Sequence, residues 1–346
     1  MTAGLDIHTT IETLEQATGV VLPVYFQPET ELAWGQALLA ATVQMFVREV
    51  ADPASICLSV DGRGVSLAIA EAVASESGVQ LVGAAQNRGK LAAVRTGMAR
   101  LLDNPALRYL AVVDCDGDHF ANELLNFVRC AEHVTQHSGQ TGVLVLGGRL
   151  SGHRPLGFLR GEQELLANYL LVDALHYHAA ITGRPVAWHF VSPVETLPDF
   201  HSGYKLFSRS SAAAVFGQTP NLAGCGEEVY YRHACEAVMV VEALQAGGVL
   251  ATVNRHTFDE QPTSSFARLD RARLAADMII WPCKRLGVPG PFVAQWLTNH
   301  LPRLVLGTLV PQGRAELLAI RQLVLAAFDQ ALLTEAGDKI LRPMFV

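Results

Sequence analysis

Three carboxylates at alternate positions, Asp114, Asp116 and Asp118, close the stretch Tyr109-Leu-Ala-Val-Val-Asp-Cys-Asp-Gly-Asp-His119. The apolar run before them, Leu110 to Val113, is rich in branched residues and bounded by charge, so it reads as a buried parallel strand. Open α/β sheets bind ligands at the carboxyl edge of such strands. Carboxylates crowded there repel one another and lose hydration, so they call for a cation. An oxygen-only ligand set favours a hard divalent ion, magnesium or manganese, over zinc. Magnesium held by few carboxylates usually shares its remaining positions with substrate phosphates. The plainer use, capping of a helix expected over Asn122 to Gln136, needs only one aspartate.

Composition narrows the class. A chain of 346 residues, half of them hydrophobic and 17% charged, can bury a sizeable core in one large α/β domain or two smaller ones. The net charge of −7 argues against nonspecific nucleic-acid binding, which needs a basic face. No basic-then-apolar leader marks a signal peptide, and no run reaches the roughly 18 apolar residues of a membrane span. Cys57, Cys115, Cys130, Cys225, Cys235 and Cys283 show no CxxC pair and no zinc spacing. They read as reduced thiols, and the expectation is a cytoplasmic enzyme without internal repeats.

Residues 1–18 form a polar lead-in with a short helix around Thr9 to Ala17, and Gly19 to Tyr25 reads as the first core strand. Pro23 has no N–H for a ladder, so it belongs near that strand's end, where chain meets ligand. Helical periodicity follows over Glu31 to Val50, then a second strand, Ile56 to Val60, ending in Asp61-Gly-Arg-Gly64. Ser66 to Ser77 is a helix and Val79 to Ala84 a third short strand. This alternation predicts a parallel sheet with covering helices. The next piece, Gln86 to Gly97, is a loop running into a helix, where Gly89 permits a tight turn. Asn87 and Lys90 there offer an amide and a cation at a helix start, a place suited to a phosphate or a ribose. Asp61, this loop and the aspartate cluster should converge on one sheet edge.

This order resembles the nucleotide-sugar-binding half of GT-A glycosyltransferases, particularly family 2. The matching residues are the opening strand Val20-Val-Leu-Pro-Val-Tyr25, Asp61 closing the second strand, Asn87-Arg-Gly-Lys90, and the D-x-D pair Asp114-Cys-Asp116. The correspondence covers roughly residues 19–150 and rests on the ordered set, with Ser59-Val-Asp61 giving one carboxylate where the family often has two. The resemblance implies an α/β GT-A fold, Rossmann-like, with a mostly parallel central sheet, helices on both faces and a helical C-terminal extension. It implies a nucleotide-diphospho-sugar donor, UDP- or GDP-sugar, and a divalent cation, Mn2+ or Mg2+. Pro23, Val24 and Tyr25 would line the base, Asp61 would approach base or ribose, and Asn87 and Lys90 would lie near uracil or phosphate. Asp114 would touch ribose or sugar, Asp116 would bind the ion, and Asp118 would serve as an auxiliary ligand or its support.

Gly142 to Arg149 is a further strand ending near a Gly-x-Arg that the family also shows, which makes Arg149 a donor-binding candidate. A helix is expected from Gly161 to Thr182, with His176 and His178 solvated rather than ligating. Asp199-Phe-His-Ser-Gly-Tyr-Lys-Leu-Phe-Ser208 matches the family's small-residue loop before a short strand; His201, Ser202 and Gly203 would face the sugar and acceptor. Gly203 would let backbone approach the ligand closely. Gly224 to His233 opens an amphipathic helix running through Leu244. Glu227 or Glu228 in its first turn either interacts with the helix dipole or supplies the base of an inverting enzyme. After a strand from Val249 to Asn254, His256 is a second metal-ligand candidate, and Arg255 and Arg268 are candidates for neutralising the diphosphate. Trp281, Phe292, Trp296, Leu297, Leu301, Leu304 and Val305 form an apolar segment suited to domain packing, a homodimer or peripheral membrane contact, with packing the default.

The expected organisation is a lead-in (1–18), a catalytic domain (19–270, its donor half 19–150 and acceptor half 151–270) and a helical region (271–346). The expected activity is metal-dependent, inverting glycosyl transfer of the hexosyltransferase type to an unidentified hydroxyl acceptor. Val112 to Asp118 also resembles the Asp-x-Asp-Gly-Thr motif of haloacid-dehalogenase-type phosphatases, with Asp114 as nucleophile. Asp118 stands where that motif has Thr, and three strand–helix units precede it, where the motif usually opens its domain. A nucleotidyltransferase would place a Gly-rich, Arg-containing loop where Gln27-Pro-Glu-Thr30 stands, and a dinucleotide oxidoreductase would need GxGxxG. An inactive sugar-nucleotide-binding protein is the non-enzyme alternative.

Overall fold

A computed structural model of the protein describes residues 6–191, 197–258 and 270–329. Its strands are β1 (Thr18–Val24), β2 (Ile56–Asp61), β3 (Gln80–Ala84), β4 (Tyr109–Val112), β5 (Val143–Arg149), β6 (Lys205–Ser208) and β7 (Val249–Arg255). The helices are α1 (Ile7–Ala17), α2 (Leu32–Val47), α3 (Val65–Ser77), α4 (Lys90–Leu102), α5 (Leu124–Ser138), α6 (His153–Thr182), α7 (Arg209–Phe216), α8 (Cys235–Gln245), α9 (Arg271–Arg285), α10 (Gly290–His300), α11 (Leu306–Leu309) and α12 (Gly313–Ala327). The chain divides into two compact units. One comprises Met1–Leu150, Ala187–Pro220 and Met239–Phe258; the other comprises Ser151–Val186, Asn221–Val238 and Asp259–Val346.

The first unit holds a seven-stranded sheet in the order β3-β2-β1-β4-β6-β5-β7. β1 pairs in parallel with β2 and β4, β2 with β3, and β5 with β7. Strand β6 runs antiparallel to both of its neighbours, β4 and β5. All seven residues of β1 are buried, as a strand covered on both faces requires. Pro23 sits one residue from the end of β1, and its missing donor has a geometric reason. The N–H of Val113 donates to the carbonyl of Val21, so Val21 and, two residues on, Pro23 face the β4 side. The β1–β4 register stops at Val21 opposite Val112, so Pro23 faces past the end of the ladder.

Two contacts aim the loops at this edge. Helix α4 lies close on the sheet because Gly97 has no side chain: a Cβ there would stand 2.5 Å from Val21 and 3.2 Å from Ser59. The Ser59 hydroxyl donates to the Ala93 carbonyl at 2.6 Å, fixing α4 and with it the position of Lys90. Past β1, the N–H of Phe26 donates to the Ser66 hydroxyl at 2.8 Å, tying the chain after Tyr25 to the first turn of α3.

The second unit is helical in its described residues. Its core centres on the fully buried Trp281, whose Nε1–H donates to the Asn221 carbonyl at 3.1 Å and whose ring meets Tyr230 edge-on. The helix expected from Gly161 begins at His153, with a break at Gly157 (φ 74°, ψ 163°). The helix expected after Gly224 is split into a π-type turn, Val229–His233, and α8. Of the apolar segment, Trp281, Leu297, Leu301 and Leu304 are buried, while Phe292 and Val305 remain exposed. Among the described residues no helix is long and apolar enough to cross a membrane.

Candidate active site

Asp61 ends β2 almost fully buried, with one oxygen, Oδ2, accepting from the N–H of Gly89. Its other oxygen, Oδ1, is buried without a partner among the described residues. A buried carboxylate oxygen without a donor is costly, so Oδ1 is suited to an N–H or O–H of a ligand. One residue after Gly89, Lys90 opens α4 and places Nζ 2.5 Å from Oδ1 of Asp114, just past the end of β4. The ends of β2 and β4 and the Asn87–Lys90 loop therefore converge, as the sequence predicts. Burial works to raise the Asp114 pKa, but the Lys90 ammonium beside it, His119 and Arg255 together outweigh it and hold the carboxyl well below the usual range.

His119, given no role by the sequence, completes the Asp114 environment. The N–H of Asp114 donates to His119 Nδ1 at 2.9 Å, so the ring proton belongs on Nε2, 3.8 Å from Asp114 Oδ2. Burial, then the Arg255 cation, holds the imidazole pKa well below its ordinary value, so the ring is neutral. It stacks on Tyr204 at 4.9 Å between centroids, and Tyr204 stacks on Phe127 at 4.2 Å. Gly203 closes the other side. A Cβ there would overlap Asp114 Oδ2 and stand 3.1 Å from His119 Cε1. Gly203 therefore leaves the room that Asp114 Oδ2 occupies.

Asp116 is buried, and its Oδ1 accepts from the N–H of Asp118 at 3.2 Å. Burial first, then the neighbouring Asp114 charge, pushes its carboxyl up to about 7. Asp118 serves as an internal tie: Oδ1 accepts from the N–H of Phe258 at 2.7 Å, and Oδ2 lies 3.5 Å from Arg255. Arg255 is buried rather than offered to a diphosphate. Its guanidinium donates to the carbonyls of Asp118 and His256, both at 3.1 Å, and to the Ser202 hydroxyl at 3.3 Å. Lys205, fully buried in β6, donates to the Ser202 carbonyl. Two buried cations therefore hold the His201–Gly203 loop.

His256 is 76% exposed through its side chain, and both its N–H and its ring Nδ1 contact Glu123 Oε1. Arg149 gives its guanidinium to Asp199 through two contacts, at 2.7 and 2.6 Å. Burial pushes the Asp199 carboxyl up, but the charge and hydrogen bonds of Arg149, with the Arg255 charge, together hold it down at about 2. Pro23 and Val24 are buried in β1, with the Val24 side chain in the core, whereas Tyr25 is 44% exposed. Asn87 is exposed, and His201 and Ser202 are buried. Glu227 and Glu228 belong to the second unit and are exposed immediately before the π-type turn. Arg268 lies outside the described residues. Sequence reasoning missed His119, Glu123, Lys205 and the partnership of Asp199; the one signal available for Lys205 was a charge opening the apolar strand Lys205-Leu-Phe-Ser208.

Among the described residues, no group of three or more His, Cys, Asp or Glu side chains is placed to hold a metal ion. A hard divalent ion does not require such a cage when a ligand's phosphate oxygens complete its shell. Asp114 is paired with Lys90, while the Asp116 carboxyl, pushed up to about 7 by burial and then by the Asp114 charge, has no cation paired with it among the described residues, a charge pattern that fits one cation at Asp116.

No family model matches the chain, and no curated protein matches it by sequence. Among solved structures it is similar to mannosyl-3-phosphoglycerate synthase from Rubrobacter xylanophilus, at 15% identity and a TM-score of 0.50, covering 83% of this chain and 79% of that one. It is also similar to glucosyl-3-phosphoglycerate synthase from Mycobacterium tuberculosis in complex with Mn2+, UDP-glucose and phosphoglyceric acid. There the identity is 16% and the TM-score 0.49, over 84% of this chain and 86% of that one. Residues 1–349 of TarS from S. aureus match at 11% identity and a TM-score of 0.40, covering 90% of each chain. The likeness to the Rubrobacter synthase concerns the fold: the chain has the GT-A fold of nucleotide-diphospho-sugar transferases, α/β with a mostly parallel sheet and a helical extension.

Proposed function

We propose that the protein is a metal-dependent glycosyltransferase that moves a hexose from a nucleotide diphosphate to a hydroxyl acceptor with inversion. One observation carries the reading. On a GT-A sheet, Asp61 anchors Gly89 while the adjacent Lys90 anchors Asp114, so a base-side carboxylate, a cation and an aspartate pair share one edge. The GT-A fold supports the transferase over the phosphatase alternative, and turnover separates the transferase from an inactive binding protein.

In this reading the exposed ring of Tyr25 and the backbone of Pro23 and Val24 line the base of a UDP- or GDP-sugar. Asp61 Oδ1 accepts a hydrogen bond from base or ribose, Asn87 and Lys90 stand on the phosphate side, and Asp114 touches ribose or sugar. Arg149 acts through Asp199, holding the chain that leads to His201, Ser202 and Gly203, which face the sugar and acceptor. Asp116, with His256, would hold Mn2+ or Mg2+. The ion, when bound, supplies positive charge to the departing diphosphate. Glu227 or Glu228 takes the acceptor's hydroxyl proton as its oxygen bonds to the anomeric carbon and the bond from that carbon to the diphosphate breaks. These assignments come from the sequence and are offered for test.

The test is thermal stabilisation by UDP-, GDP- and dTDP-sugars with Mn2+, followed by hydrolysis or transfer of the stabilising donor. Asp116→Ala should abolish the metal-dependent reaction. Full activity in that variant, or in excess chelator, would sink the proposal.

A further inference from the structure

Glu123 lies in a single 3-10 turn, Ala121–Glu123, that leads from the aspartate loop into α5. It is buried, and one of its oxygens, Oε1, meets two donors from the same residue: the N–H of His256 at 2.8 Å and ring Nδ1 at 2.9 Å. A carboxylate only accepts, so Nδ1 carries a ring proton, and in the neutral imidazole that leaves the lone pair on Nε2. The second oxygen of Glu123, Oε2, is buried with no hydrogen-bond partner among the described residues. Two bonds to one oxygen fix both the backbone of His256 and the rotation of its ring. The same loop continues to Phe258, whose N–H donates to Asp118, two residues from Asp116.

We propose that Glu123 is the positioning residue of His256, orienting its ring and selecting the tautomer that leaves Nε2 available to a divalent ion. The inference rests on the metal-dependent reading above. A carboxylate behind a ligating histidine orients the ring, and its removal typically weakens metal binding about 10- to 100-fold. Gln at this position keeps an accepting carbonyl while losing the charge, so it should retain much of the positioning. Ala loses both.

Two measurements test this. In the metal-free protein, long-range 15N–1H spectra should show the His256 proton on Nδ1 in wild type and no such preference in Glu123→Ala. Mn2+ affinity with UDP present, read from the free-Mn2+ signal in electron paramagnetic resonance, should fall about 10- to 100-fold in Glu123→Ala, with Glu123→Gln in between. His256→Ala should weaken Mn2+ as well, and adding Glu123→Ala to it should change nothing further, because the effect passes through the ring. Should Glu123→Ala fail to fold, the Gln variant in the two His256 backgrounds carries the same comparison. If wild type binds no Mn2+ with UDP, the metal-dependent reading fails. If it binds but the two substitutions are additive, or His256 keeps the other tautomer, the Glu123 assignment alone is overturned.

Discussion

Lys90 Nζ stands 2.5 Å from Asp114 Oδ1, so the first residue of α4 and the end of β4 hold each other across the sheet edge. Both side chains are about a quarter exposed, at 28% and 27%, so solvent screens the pair and its share in stability is small, within about 1 kcal/mol. Its share in function should be larger. Lys90→Met leaves Asp114 facing Asp116 uncompensated, and kcat/KM for the donor should fall about 100-fold with a melting temperature nearly unchanged. Lys90→Arg keeps charge without the geometry and should recover only part of the loss. A large fall in melting temperature with normal kinetics would reverse this assignment.

Gly203 is the second point of leverage. Its missing side chain leaves room for Asp114 Oδ2, and that carboxylate is tethered by Lys90 and cannot swing aside freely. Gly203→Ala should cost about 1–3 kcal/mol in unfolding free energy and displace Asp114. Donor kcat/KM should drop at least about 10-fold, since misplacement near the reacting centre is expensive in rate. Unchanged kinetics with unchanged stability would mean the loop is looser than its two buried cations suggest.

The pH dependence of stability should carry the signature of Asp116. Burial, then the Asp114 charge, raises its carboxyl to about 7 from an ordinary 3.8. Between those values the folded chain keeps a proton that the unfolded chain has released, so the metal-free protein loses stability as pH rises through this range. His119, held neutral when folded, works the other way and lowers stability as pH falls below its ordinary 6.5. Asp116→Asn removes the first effect and keeps the second. Melting temperatures of metal-free wild type and Asp116→Asn should approach each other as pH falls toward about 4 and separate as it rises to about 7, with the variant the more stable at the upper end. Parallel pH profiles would refute the raised carboxyl.

Arg255 ties the Asp118 loop to the His201–Gly203 loop from a buried position. Arg255→Met would leave Asp118 buried without its cation, a change that costs roughly 3–5 kcal/mol when a buried pair loses one partner. Denaturant unfolding should show a loss of that size, with donor binding lost at temperatures where the variant still folds. A donor-contact role, in contrast, would lower affinity and leave stability intact.

Glu227 and Glu228 are distinguished by rate. The one that serves as base should lose roughly 10²- to 10⁴-fold in kcat as Gln, with donor affinity retained, and the other should stay near wild type. If both variants keep full kcat, the acidic pair returns to its plainer role beside the turn that follows it.

The edge that carries the candidate site was legible because its strands end abruptly: Val60 gives way to Asp61, Val113 to Asp114, and the apolar β1 carries its proline at the boundary. The supporting residues were not, because their partners are remote in sequence. Asp118 meets Arg255 and Phe258 at separations of 137 and 140 residues, and Glu123 meets His256 at 133. Arg149 is singled out by the Gly-x-Arg at its strand's end, and its pairing with Asp199, 50 residues on, leaves no mark in the local sequence. Nor does a four-residue strand such as Lys205-Leu-Phe-Ser208 reveal its direction, since an alternating or apolar pattern reads alike both ways.

That direction has a consequence for synthesis. Strands β3, β2, β1 and β4 are neighbours in the sheet and are all made by Val112, so a four-stranded parallel half can assemble as the chain emerges. Strand β5 follows, but both of its partners, β6 and β7, are still to come, with the long helix α6 translated in between. During that interval the run Val143-Leu-Val-Leu146 has two unpaired edges. Ser208 then arrives and its hydroxyl accepts from the N–H of Val143 at 2.9 Å, beside the newly placed β6. Strand β5 is therefore the segment a nascent chain must shield from mispairing, and a pause in translation between residues 150 and 205 would lengthen its exposure.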